Sequence, residues 1–395
     1  MKKNIIVIII ILLLIATEIL KVYFIMPFPG SQKTDTINLA YFIHQSIWSI
    51  RIVLIAIVGY PLFQQLRKGE VWEKIVLYIL IATYAVIFYV FNFKFLADKI
   101  FEQPKVKSFA KTDHYSFGSN KLIIGVELNG ESKAYPIEII AYHHQIKDTL
   151  GNQPIMVTYC SVCRTGRVFS PFVNGKFETF RLVGMDHFNA MFEDESTKSW
   201  WQQATGIAIA GKLKGTALKE IPSEQMALND WTIIHPNTLV LEPDHNYKEE
   251  YDSLKGFDEG TVKGKLEKRD SASWKNKSWV VGVVLNNKAK AYDWNILQEK
   301  KFIQDSMDKT YLLLTTDTTG RSFFMLNRNL DGKIYQFIYD TAKRHMTDND
   351  THSLWNANGT CFEGSLKGKV LLRIQAYQEF WHSWKYFHPE TEIYK

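Results

Sequence analysis

Cysteine is scarce in this chain, with three among 395 residues. So few cannot build a disulfide-stapled fold, and the core must be apolar packing. No Gly-rich phosphate loop, Gly-x-Ser-x-Gly elbow or His-Glu-x-x-His helix occurs, which removes the common nucleotide-binding, hydrolase and metalloprotease fingerprints. Charge of one sign is also lacking. The 47 basic and 41 acidic residues leave a formal +6, and the basic residues are scattered. A nucleic-acid binder shows a basic face or stripe, so nucleic acid is not expected as a partner.

Long apolar runs are present, all before residue 94. "NIIVIIIILLLIATEILKVYFIMPF" (4–28), "AYFIHQSIWSIRIVLIAIVGYPLF" (40–63) and "EKIVLYILIATYAVIFYVFNF" (73–93) each reach the length of about 20 residues that crosses a hydrocarbon core. Lys2 and Lys3 precede the first run as in a signal peptide, but no small-x-small cleavage site follows, so a retained anchor is expected. Lys2, Lys3, Arg67, Lys68 and Lys74 flank one side, and Lys33 alone occupies the loop between the first two spans. The positive-inside rule then puts the body after the third span outside the cytoplasm of a bacterial inner membrane, although Lys94, Lys99, Lys105 and Lys107 pull the other way. Glu18, His44 and Arg51 fall within the spans; a Glu18–Arg51 pair tying two helices together is expected rather than a transport path.

From about residue 120 the chain reads as short Val/Ile/Phe/Tyr-rich strands broken by Asn-Gly-type turns, and it repeats itself. "GVELNGESKAYP" (125–136) returns as "GVVLNNKAKAYD" (282–293). "SWWQQATGIAIAGKLKG" (199–215) returns as "SLWNANGTCFEGSLKG" (353–368), and "DWTIIHPNT" (230–238) as "SWKYFHPET" (383–391). The expected architecture is a mainly β, β-rich α+β tandem-repeat body preceded by three transmembrane helices. Its parts are an anchor over 1–98, a first copy over 99–245 and a degenerate second copy over 246–395.

A duplication supplies an internal comparison: residues kept in both copies serve the fold, and residues in one copy serve that copy's task. Trp201/Trp355, Gly211/Gly364, Trp231/Trp384 and His235/His388 are kept, and so is Asp194/Asp348, read as a turn or capping residue. Aligned through the shared Thr-Gly-Arg, "TYCSVCRTGRVF" (158–169) meets "LLLTTDTTGRSF" (312–323), which sets Cys160 on Leu314 and Cys163 on Asp317. His143 and His144 meet Lys300 and Lys301. Both cysteines and both histidines are lost together.

Three roles compete for Cys160-x-x-Cys163. A soft-metal site would use both sulfurs with His144, and with His143, His187 or Met185 as further candidates. Copper is favoured and zinc second, because no second Cys-x-x-Cys closes a structural zinc site. Thiol–disulfide exchange by Cys160 and Cys163 is the alternative, with Arg164 available to stabilise a thiolate, although "RTGRVFSPF" does not read as the helix that such sites open. The third is a non-catalytic interaction module with a structural disulfide. Cys361 faces Ile207 or Ala208 in the first copy and reads as a buried, inert thiol. The expected partners are the bilayer and a redox or metal-trafficking protein.

"GVELNGESKAYP", "HHQIKDTLGNQPIMVTYCSVC" and "DESTKSWWQQATGIAIAGKLKG" with its later "HP" together resemble a bacterial family known only as domain of unknown function three-one-seven-nine. The resemblance covers roughly 100–245, with an eroded echo over 282–391. It implies grouping His144 with Cys160 and Cys163. The family's usual proline and large apolar residue between the cysteines are Ser161 and Val162 here. The family has no assigned activity, so no role comes with the resemblance.

Overall fold

The computed structural model describes residues 2–115, 118 and 120–395. It divides into two compact units. One comprises Met1–Glu102, Val173–Gln202 and Gly206–Ala217, and the other Gln103–Phe172, Gln203–Thr205 and Leu218–Lys395.

In the first unit, helices α1 (Lys2–Tyr23), α2 (Ile37–Lys68) and α3 (Val71–Phe93) are long and apolar enough to cross a membrane. Val7, Ile11, Val58 and Leu77 pack between them, while Phe42, Trp48, Ile52 and Tyr78 point outward. The Glu18–Arg51 pair forms as its chemistry requires. Arg51 Nε donates to Glu18 Oε1 at 2.7 Å and Nη2 to Oε2 at 2.6 Å, and Asn92 of α3 donates to Oε2 at 2.8 Å. One bidentate ion pair with an amide partner therefore engages all three helices, as a buried charge needs.

The antiparallel sheet of Phe180–Asp186, Asn189–Asp194, Trp200–Gln202 and Ala208–Ala210 belongs to the same unit. It sits against the α1–α2 connection. Met185 N donates to Ile25 O at 2.8 Å, and a Cβ on Gly184 would come within 2.4 Å of that oxygen. Trp200 meets Tyr41 edge-on at 5.1 Å and donates its indole N–H to Glu193 at 2.9 Å. Asp194 accepts from Thr197 N, Ser199 N and Trp201 Nε1, which makes it the turn residue expected of it.

The second unit carries the duplication in its backbone. Leu122–Leu128 pairs with Glu131–Pro136 and with Glu224–Ala227; Trp279–Leu285 pairs in the same way with Lys288–Asp293 and Ala376–Phe380. A second sheet of Gln145–Leu150, Gln153–Cys160 and Thr165–Phe169 is matched by Phe302–Met307, Thr310–Thr316 and Phe323–Asn327. Gly125 and Gly282 exist for the tryptophan over them. A Cβ would lie 2.5 Å from Trp231 in one copy and 2.3 Å from Trp384 in the other. Each indole N–H donates at 2.9 Å, to Thr238 or to Thr391. His235 and His388 lie on these rings at 3.9 and 4.1 Å, so both are scaffold.

Strand register corrects the alignment made through Thr-Gly-Arg. Thr158 faces Gln145 and Arg167, and Thr315 faces Phe302 and Phe324, so Thr158 and Thr315 are equivalent. Cys160 therefore corresponds to Asp317, not Leu314, and Cys163 to Gly320, not Asp317. Thr165-Gly166-Arg167 lies in a strand whereas Thr319-Gly320-Arg321 lies in the turn, so the shared letters are three residues out of phase. His143 and His144 do match Lys300 and Lys301. His144 and Lys301 end their helices in the same left-handed conformation, at φ 60° and 65°. Cys361 pairs with Trp355 as Ala208 pairs with Trp201, and its thiol is buried.

Substituting Gly125→Ala or Gly282→Ala pushes a methyl into a filled indole site. Each variant is expected to lose about 1–3 kcal/mol, read as a lower thermal midpoint of the detergent-solubilised protein, with Gly130→Ala, where a Cβ meets nothing within 4 Å, as the reference for backbone strain alone.

Candidate functional site

The cysteines sit on the tight turn between Gln153–Cys160 and Thr165–Phe169. Cys163 N donates to Cys160 O at 3.2 Å, Arg164 N to Ser161 O at 3.3 Å, and Arg164 takes a left-handed φ of 56° to close the loop. No helix begins at the pair. Both sulfurs are free thiols, hydrogen-bonded to each other, with residue exposures of 1% and 0%. Burial, with Cys160 as neighbour, pushes the Cys163 thiol well above its ordinary value. In the second copy Asp317 replaces this arrangement. Its carboxylate accepts from the backbone N–H groups of Thr319, Arg321 and Ser322, filling the loop that the two thiols fill in the first copy.

The cover over the thiols comes from the second copy. Phe380 N donates to Cys163 O at 2.9 Å. Lys277 Nζ donates to Val162 O at 2.6 Å, and His382 Nε2 lies 3.2 Å from the same oxygen and 3.3 Å from Nζ. Ser383 hydrogen-bonds the Cys163 thiol, and its Oγ lies 3.4 Å from Thr165 Oγ1. The cation beside the thiols is thus Lys277, whose own pKa falls because burial outweighs the pull of the sulfurs. Arg164, the expected thiolate partner, is committed elsewhere. Nε donates to Gln378 Oε1 at 2.8 Å and Nη1 to Phe257 O at 3.0 Å, with the guanidinium 3.8 Å over Trp279.

Lys277, Glu379, His382 and Ser383 stand where the first copy has Asn120, Met226, Asn229 and Asp230. Comparing the copies in both directions singles them out. Looking only for what the second copy lost does not.

His144 follows the helix Ile137–His143, and its carbonyl accepts from Tyr159 N at 3.1 Å, one residue from Cys160. Its Nδ1 lies 2.9 Å from Tyr142 O. A carbonyl only accepts, so Nδ1 carries the proton and Nε2 keeps its lone pair, the tautomer of a ligating histidine. His143 is occupied otherwise, with Nε2 2.6 Å from Tyr251 OH inside a cluster with Tyr142 and Tyr247. Met185 and His187 lie in the other unit, where His187 pairs with Asp186 at 2.9 Å and Asp35 at 3.3 Å. Among the described residues, no three His, Cys, Asp or Glu side chains converge closely enough to hold a metal ion.

Burial holds both His144 and His382 down to about 4. Their folded pKa values lie below the unfolded value near 6.5. The stability they confer is therefore complete above that pH and is lost as the pH falls toward 4, on the order of 3 kcal/mol for each. The thermal midpoint should drop over this window, and His382→Gln should flatten part of the drop relative to wild type.

A family model described as "Protein of unknown function (DUF3179)" matches residues 100–391, which takes in both copies. No curated protein and no solved structure matches the chain. With a single family model running from the first strand of the body through the helix that covers Cys163, the chain belongs to this family of unknown function.

Proposed function

We propose that Cys160 and Cys163 bind a single soft metal ion, cuprous copper ahead of zinc, in a membrane-anchored protein of metal handling or electron transfer. The observation that carries this reading is the pair of buried cysteines, in no disulfide, with one ammonium, Lys277, held against their loop. Two thiolates satisfy a cuprous ion, and the complex then bears one negative charge, which Lys277 offsets. A zinc ion on the same two sulfurs is neutral and needs further donors to reach four. His144, with Nδ1 held on Tyr142 O, is the third donor this reading expects, and it would have to move toward the sulfurs on metal binding, since no three His, Cys, Asp or Glu side chains converge among the described residues.

The same burial weighs against thiol–disulfide exchange. That chemistry needs a thiolate that a partner sulfur can approach, and both sulfurs are covered and at least one is held protonated. The two sulfurs are nevertheless in contact, so exchange stays the second reading. The lysine pattern around the apolar helices supports a body outside the cytoplasm of a bacterial inner membrane, with a metal-trafficking or redox protein as the partner in kind.

Titration of the reduced, detergent-solubilised full chain with cuprous ion against a competing chelator tests this reading. One equivalent should bind, and Cys160→Ser or Cys163→Ser should abolish it, whereas His144→Gln weakens it. Because binding displaces thiol protons, the apparent affinity should rise about tenfold per pH unit for each proton released. Wild-type protein that takes up neither copper nor zinc, or a pair that cycles reversibly to a disulfide in thiol trapping, overturns it in favour of the alternatives.

A further inference from the structure

The segment joining the two copies builds an open cleft of about 670 Å³ whose walls include Lys265, Lys268, Arg269, Lys275 and Lys277, against one carboxylate, Asp270. Lys265, Lys268 and Lys275 are exposed, and among the described residues none forms an ion pair. Trp274, which also lines the cleft, is held at φ 61°, a left-handed conformation that is unusual for so bulky a residue. Its ring meets Trp381 edge-on at 4.9 Å. Lys277 links the cleft to the thiols, since it lines the cleft and its ammonium ends on Val162 O, between Cys160 and Cys163. Five cations on thirteen residues outnumber the two carboxylates of the same stretch, Glu267 and Asp270, and such a concave, net positive patch focuses its field on small anions.

We infer that this cleft is the loading port of the thiol site and receives the ion as a small anionic complex, a cuprous bis-thiolate, rather than as a free cation. The inference rests on the metal reading above and names the form of its substrate. The step is a ligand exchange at constant oxidation state. Two copper–sulfur bonds to the carrier thiolates break, and two to Cys160 and Cys163 form. The protons of the two cysteines leave on the carrier thiols. The complex carries one negative charge before and after, so Lys277 faces the same charge throughout and no net proton is released. A bare cation would be repelled by the cleft and would have to shed two protons into it.

The test compares two probes on the full chain in detergent, cuprous bis-glutathionate and the cationic cuprous acetonitrile complex. Loading of wild type from the anionic probe should be fast and should slow as salt is raised. The triple variant Lys265→Glu/Lys268→Glu/Lys275→Glu should load from that probe at least about tenfold more slowly, while its rate from the cationic probe holds or rises and its copper stoichiometry stays at one. Equal slowing with both probes, or no slowing with the anionic one, overturns the port while leaving the thiol site standing. If wild type loads from neither probe at equilibrium, the thiol-site reading falls and the port falls with it.

Discussion

Each copy's turn is closed by the start of the other copy's C-terminal helix, and the rest of the second unit depends on this exchange. On one side Phe380 N, Ser383 and His382 close over the Cys160–Cys163 turn. On the other, Ser322 of the Asp317 turn accepts from Ala227 N at 3.0 Å and donates to Asp230. Gln225 and Gln378, equivalent by register, meet between them at 3.1 Å. The first turn depends on the other copy for the partners of Val162 O and Cys163 O, because a buried carbonyl left without a donor is costly.

That exchange gives the degenerate copy a use beyond packing. Asp317 stabilises its own turn from within, through four hydrogen bonds to Thr319, Arg321 and Ser322. The first copy has two thiols in place of this internal cap, which make weaker hydrogen bonds, and its turn draws its partners from outside: Lys277 and His382 on Val162 O, Phe380 on Cys163 O. A turn that keeps its shape by external cover can present sulfur without collapsing around it. The division of labour between the copies follows from that difference in cap chemistry.

The bundle of three long apolar helices follows a comparable rule. Glu18 and Arg51 are affordable among apolar helices because they meet bidentately and because Asn92 takes up a remaining lone pair. The sheet of the same unit reaches that bundle through backbone at Ile25 and Met185 and through Trp200, whose polar edge is satisfied by Glu193.

Much of this was legible without coordinates. Apolar run length located the three long N-terminal helices, self-similarity located the duplication, and the opposite charges of Glu18 and Arg51 within the apolar runs pointed to their pairing. Trp201/Trp355, Gly211/Gly364, Trp231/Trp384 and His235/His388 were recognisable as scaffold because both copies keep them, whereas the packing of Trp231 and Trp384 on Gly125 and Gly282 was not. The register of the turn was not legible, because Thr-Gly-Arg recurs by coincidence three residues out of phase, and hydrogen bonds between strands, not letters, decide which residues correspond. Nor was the neighbourhood of the sulfurs. Lys277 and His382 lie more than a hundred residues from Cys163 in the chain, and only the folding of one copy over the other's turn brings an ammonium and an imidazole to that loop.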